Sequence, residues 1–148
     1  MEVEVVNAVR AAVEPESLRR VLRRTADVPE VAARLPDGRV DVAVRITGDE
    51  EMRELYKTYA SEDHATDVLS FAGAGDHMGD IAISWPAVMR QAASFGHDAK
   101  TEVALLAVHG LLHLLGWEHA RAAERREMTR LTVAGLERSG IKLAPRRL

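Results

Sequence analysis

The sequence predicts one α+β domain over residues 1–148, with a small mixed sheet of four strands packed by about five helices. Three observations lead there. Strand-like alternation and helix-like spacing are interleaved as far as Ser84, and only helical patterns follow. The run Val40, Val42, Val44, Ile46 alternates cleanly with polar or small residues, as a strand with one buried face must. No repeat, low-complexity tract or linker divides the 148 residues, a length that buries a core without covalent staples.

Taken in order, Val3 and Val5 between glutamates predict a short first strand. Pro15 suits the first turn of a helix whose apolar positions are Leu18, Val21 and Leu22. A second Pro-initiated turn near Pro29 leads to the turn signal Pro36-Asp37-Gly38. After the Val40–Ile46 strand, Thr47 or Asp49 caps a helix carrying Met52, Leu55, Tyr56 and Tyr59. Val68 to Phe71 and Ile81 to Ser84 read as strands flanking a loop that holds Gly73, Gly75 and Gly79. Ser84 with Pro86 opens a helix that Gly96 closes. A long apolar helix runs from about Lys100 to Leu115, and a final amphipathic one from about Ala120 to Ser139, with Met128 in the core and Gly140 as its stop. Aromatics make up only 4% of the chain, so Trp85 and Trp117 are expected to pack rather than offer stacking surfaces. His64, His77 and His97 fall in polar stretches and are expected to be exposed, and Lys142 to Arg147 read as a mobile tail.

Composition narrows the function. Without cysteine there is neither a disulfide framework nor a thiolate site, so any transition-metal site is built from His, Asp and Glu. The start Met1-Glu2-Val3-Glu4-Val5 is acidic and alternating, unlike a signal peptide. No apolar run approaches the roughly 20 residues that cross a bilayer. The expectation is a soluble cytoplasmic protein with no membrane partner. A net charge of −3 argues against coating nucleic acid through bulk charge. Two arginine clusters, Arg19, Arg20, Arg23, Arg24 and Arg121, Arg125, Arg126, Arg130, have helical spacing and read first as solvated faces, with a phosphate-binding strip as the alternative.

Three of the six histidines lie in the run His109-Gly110-Leu111-Leu112-His113-Leu114-Leu115-Gly116-Trp117-Glu118-His119. His109 and His113 share one helix face, and His119 follows a glycine able to end the helix and return the chain. Unpaired imidazoles among leucines would each cost about 1–3 kcal/mol, a penalty that metal ligation removes. Three neutral nitrogens with a fourth position open make a catalytic rather than a structural zinc site. Nickel, cobalt and copper also accept imidazole, so another divalent transition metal stays open. The spacing matches the long zinc motif of metzincin proteases except after the first histidine, where their Glu base is replaced by Gly110. The metal geometry therefore survives and the peptidase mechanism loses its base. The chemistry implied is hydrolysis. Glu118 is a candidate proton acceptor or a partner for a ligand histidine, or else an exposed turn residue. Asp80 is a weaker catalytic candidate, with a structural hydrogen bond as its alternative role, and Asp67 either caps a loop or orients substrate.

The run His109 to His119 closely resembles the His-Gly-x-Leu-His-Leu-x-Gly-x-Asp-His signature of the YbeY endoribonucleases. Thr66-Asp67-Val68-Leu69-Ser70-Phe71 and Gly79-Asp80-Ile81-Ala82-Ile83-Ser84 resemble two further strands of that family in order and spacing. The resemblance covers about Asp49 to Gly140. It implies a single-domain α+β metalloprotein that cleaves single-stranded RNA in 16S ribosomal RNA maturation and ribosome quality control. It implies zinc on His109, His113 and His119, the Asp67 and Asp80 strands beside the metal cleft, and ribosomal RNA, the ribosome or ribosome-associated proteins as partners. Ala60 stands where the family usually has Arg, with Lys57 one helical turn earlier as a substitute charge lacking Arg's bidentate fork. Tyr56, Ala65 and Glu118 replace the usual Asn, Pro and Asp. The alternatives are a ribosome-associated metal-binding protein with weak or no nuclease activity, and a metal hydrolase of another substrate class, peptides included.

Overall fold

A computed structural model describes residues 1–60 and 66–148, with only the backbone described for 59 and 60. Ten elements follow in order: β1 (Glu2–Asn7), α1 (Pro15–Thr25), α2 (Pro29–Arg34), β2 (Asp41–Thr47), α3 (Asp49–Ala60), β3 (Val68–Ala72), β4 (His77–Ser84), α4 (Trp85–Phe95), α5 (Ala99–Leu114) and α6 (Ala122–Glu137). The strands form one mixed sheet in the order β1-β2-β4-β3. β1 and β4 each run parallel to β2, and β3 is antiparallel to β4. The α+β architecture expected from the sequence is therefore present. The Pro29 turn is a short sixth helix, α2, that buries Val31.

Alternation decides which face of the sheet is covered. Val42, Val44 and Ile46 on β2 and Ile81 and Ile83 on β4 are fully buried in the core. Their neighbours Arg45 and Asp80 face solvent. The central layer on the buried face is α5, which packs against β3 and β4 as well as α1, α4 and α6. Its sequence explains this, because Val103 to Val108, Leu111 and Leu112 are apolar all round, the mark of a helix with no solvent face. Each fully buried Leu or Val contributes about 1.5–3 kcal/mol.

Capping residues set the helix limits. Ser84 caps α4 by accepting the Ala87 N–H at 3.2 Å. Asp98 caps α5 by accepting the Thr101 N–H at 2.8 Å. At its far end α5 closes in a Schellman turn: Trp117 N–H donates to Leu112 O and Gly116 N–H to His113 O, both at 3.0 Å, with Gly116 at φ +95°. This turn seats Trp117 in the core, 4% exposed, under the Arg34 guanidinium 3.8 Å from its ring.

Three expectations are corrected. β4 begins at His77, so Gly79 lies inside a strand and His77 on it, between Asp41 of β2 and Asp80, whose carboxylate is 3.1 Å from its Nε2. His97 is not an exposed loop residue, since its side chain is only 8% exposed. Its Nδ1 accepts the Ala144 N–H at 3.0 Å, so Nε2 carries the proton donated to Glu102 at 2.7 Å. The basic end is not a free tail. Arg147 grips the fully buried Glu102 with Nε at 2.9 Å and an Nη at 2.6 Å, and Gln91 donates to the same carboxylate at 2.8 Å.

Candidate metal centre

His109 and His113 occupy successive turns of α5, and the Schellman turn carries the chain round to His119. The outcome is three imidazoles on one cleft of about 780 Å³. Thr66, Asp67 and Ser70 line it from the β3 side, and Tyr56, Glu118 and Arg125 from elsewhere. The His109 and His113 rings stack with centroids 6.1 Å apart and an interplanar angle of 18°. The His113 and His119 rings meet edge to face at 5.0 Å and 77°.

Imidazoles bound at about 2.1 Å to one tetrahedral ion hold neighbouring centroids roughly 5 Å apart. The His113–His119 pair already has that spacing. The His109–His113 pair must close by about 1 Å, a shift that side-chain rotation supplies. Among the described residues no three His, Asp or Glu side chains form a preassembled ligand group. The donor set suits a borderline-soft ion such as zinc. Burial, reinforced by the neighbouring imidazoles, pushes His109 down to about 4, against the pull of the nearby Asp67 carboxylate. His113 is lowered chiefly by burial too. Both are therefore neutral donors at neutral pH, the form that ligates metal.

The backbone around the cleft is fixed by close packing. Gly110 faces Ile81 so tightly that a Cβ there would stand 2.5 Å from Ile81 Cγ2. Its carbonyl accepts the Ser70 hydroxyl at 2.9 Å, tying β3 to the ligand helix. Asp67 accepts the Val68 N–H at 2.8 Å, so it shapes the start of β3 while lining the cleft. Glu118 reaches to 3.8 Å from His113 Nδ1 with its side chain 66% exposed.

The structure brings His109, His113, His119 and Glu118 together and leaves Asp80 out. Asp80 alternates away from Ile81, is 54% exposed, and is engaged with His77 on the other face of the sheet. Its bond to His77 is the structural hydrogen bond given as its alternative role. Ala60 ends α3, but its side chain lies outside the described residues, as do His64 and Ala65 altogether. Sequence reasoning overlooked Thr129 and Arg147, both of which line the cleft. Thr129 was legible as the residue one turn beyond Arg125. Arg147 had no local signal, since only the fold carries it there.

A histidine-lined cleft between a mixed sheet and the helix packed on it defines an α+β protein with a candidate hydrolytic metal centre. The family model described as Endoribonuclease YbeY matches residues 5–140, and the chain belongs to that family. An Endoribonuclease YbeY of Roseiflexus castenholzii is 38% identical over 157 residues, covering 95% of this chain and 96% of its own. One from Chloroflexus aurantiacus is 40% identical over 136 residues, covering 80% and 88%. The solution structure of TM1509 from Thermotoga maritima shares the fold at a TM-score of 0.63 and 23% identity, over 93% of this chain and 88% of that one.

Proposed function

We propose that this chain is a zinc-dependent endoribonuclease that cuts single-stranded RNA in the cytoplasm. Its substrate is ribosomal RNA, in 16S maturation and ribosome quality control, and its partners are the ribosome or ribosome-associated proteins. The observation that carries the reading is the meeting of His109, His113 and His119 on one open cleft, in a member of the YbeY family. His109, His113 and His119 would hold a divalent ion there, which would supply Lewis acidity toward a phosphoryl oxygen and acidify water. The chain's own residues do the rest. Gly110, pinned by Ser70 and Ile81, holds the two helical histidines in register. Glu118, 3.8 Å from His113 Nδ1 and exposed at the cleft, is placed to take a proton. The scissile phosphate sits against the β3 edge, where Thr66 offers a hydroxyl.

The test is cleavage of a short single-stranded RNA by purified protein, with metal content measured before any treatment. Zinc should be present, and chelation should stop cleavage until zinc is returned. His113→Ala should lose cleavage by at least a hundredfold while keeping its circular dichroism spectrum. A His113→Ala protein that unfolds would favour a structural metal, and cutting of casein but not RNA would overturn the substrate class.

A further inference from the structure

One wall of the cleft comes from α6, and two of its residues lead out of it. Arg125 and Thr129 line the histidine cleft and also a shallower depression that continues through Ala122, Arg126 and Arg130. These five positions stand at i, i+3, i+4, i+7 and i+8, one continuous stripe of a helix. The other side of α6 buries Met128, Leu131, Thr132, Gly135 and Leu136, so the stripe is held rigidly outward.

The arginines around the cleft are not equivalent. Arg147 is spent, its fork closed on the buried Glu102 at 2.9 and 2.6 Å. Arg130 pairs with Glu30 at 2.7 Å. Arg34 covers Trp117. Arg125 and Arg126 are exposed and have no side-chain partner among the described residues. A polyanion crossing the cleft carries a charge on each side of the bond being cut, and a metal centre answers only the central one. Unpaired guanidinium groups along the same groove are what the flanking phosphates require, because their forks match phosphate oxygens bidentately.

Resting on the endoribonuclease reading, we propose that the α6 stripe is the track of the RNA strand outside the cleft. Arg125 holds the phosphate adjacent to the scissile one, with the Thr129 hydroxyl beside it, and Arg126 holds the next. The contacts go to backbone phosphate and carry no base preference.

The test is binding and cleavage of a fluorescent single-stranded RNA across a salt series, comparing the parent with Arg125→Ala/Arg126→Ala. Arg20→Ala on α1, which lines neither the cleft nor the depression, serves as a control for an arginine lost elsewhere. Each phosphate contact contributes about 0.7 to the slope of log affinity against log salt for a single strand. The double variant should lose about 1.4 of that slope, bind roughly tenfold more weakly at moderate salt, and raise KM more than it lowers kcat. Its melting temperature should match the parent's. Arg125→Lys/Arg126→Lys should restore the slope with less of the affinity, and Arg20→Ala should change neither. A double variant with parental slope and KM, while the parent still cuts RNA, overturns the track and leaves the nuclease reading intact. So does one that handles free RNA normally but no longer associates with ribosomal subunits, since the stripe would then be a protein contact. A parent that neither binds nor cuts RNA removes both readings.

Discussion

Gly110 was conspicuous in the sequence because it lacks the carboxylate a protease would need, yet its bare Cα also sets how closely α5 approaches the sheet. Gly110→Ala should lower stability by about 1–3 kcal/mol, since the new methyl must displace Ile81 in a filled core. A thermal melt followed by circular dichroism checks this. Local sequence could not reveal the packing role, because Ile81 lies on a strand whose position depends on the whole sheet. His109 carries a second expectation. With its folded value near 4, below its ordinary 6.5, the metal-free folded state binds fewer protons than the unfolded chain between those values. Its contribution is therefore fully present above about 6.5 and falls as pH drops toward about 4. Chelator-treated protein should lose melting temperature over that window, and His109→Asn should flatten the loss. The paired His77 acts with the opposite sign: its raised value adds stability below 6.5 that disappears as pH climbs through the folded value.

Among the elements, those with chemical punctuation were legible and those defined by partners were not. Ser84, Gly96 and Gly116 mark helix ends in the sequence and do so in the fold. β4 was read four residues short because Gly79 resembles a loop residue, whereas pairing with β3 carries the strand back to Gly79 and pairing with β2 to His77. The turn after α5 couples a glycine to the candidate metal site. Gly116→Ala forces a side chain into φ +95°, and should cost about 1 kcal/mol. It should also weaken zinc binding, because the same turn delivers His119. Titration with a competing chelator reads the second effect, and zinc affinity equal to the parent's would dissociate the turn from the site.

For the molecule as a whole, class and site were legible while the closure of the fold was not. The order of strands and helices and the histidine spacing are local patterns that survive any tertiary arrangement. The link from Glu102 to Arg147 is not, since nothing near Arg147 distinguishes it from Arg146. Glu102 is buried, yet its hydrogen bonds from Arg147, His97 and Gln91 outweigh that burial and hold it below the ordinary carboxylate range. Arg147→Ala would leave the carboxylate without its counter-charge and should cost roughly 3 kcal/mol. The stability it supports should be present above about 4.5 and vanish as pH falls through the lowered folded value. Urea denaturation of parent and variant near neutral and at acid pH separates the two states.

That same link orders events in time. Glu102 is made 45 residues before the guanidinium that neutralises it, a lag of roughly two to nine seconds at the pace of synthesis. Through that interval a nascent α5 must keep its first turn in water or bury an unmatched charge. Arg147 is also part of the cleft wall, so the histidine cleft gains that side only after the arginine has been made.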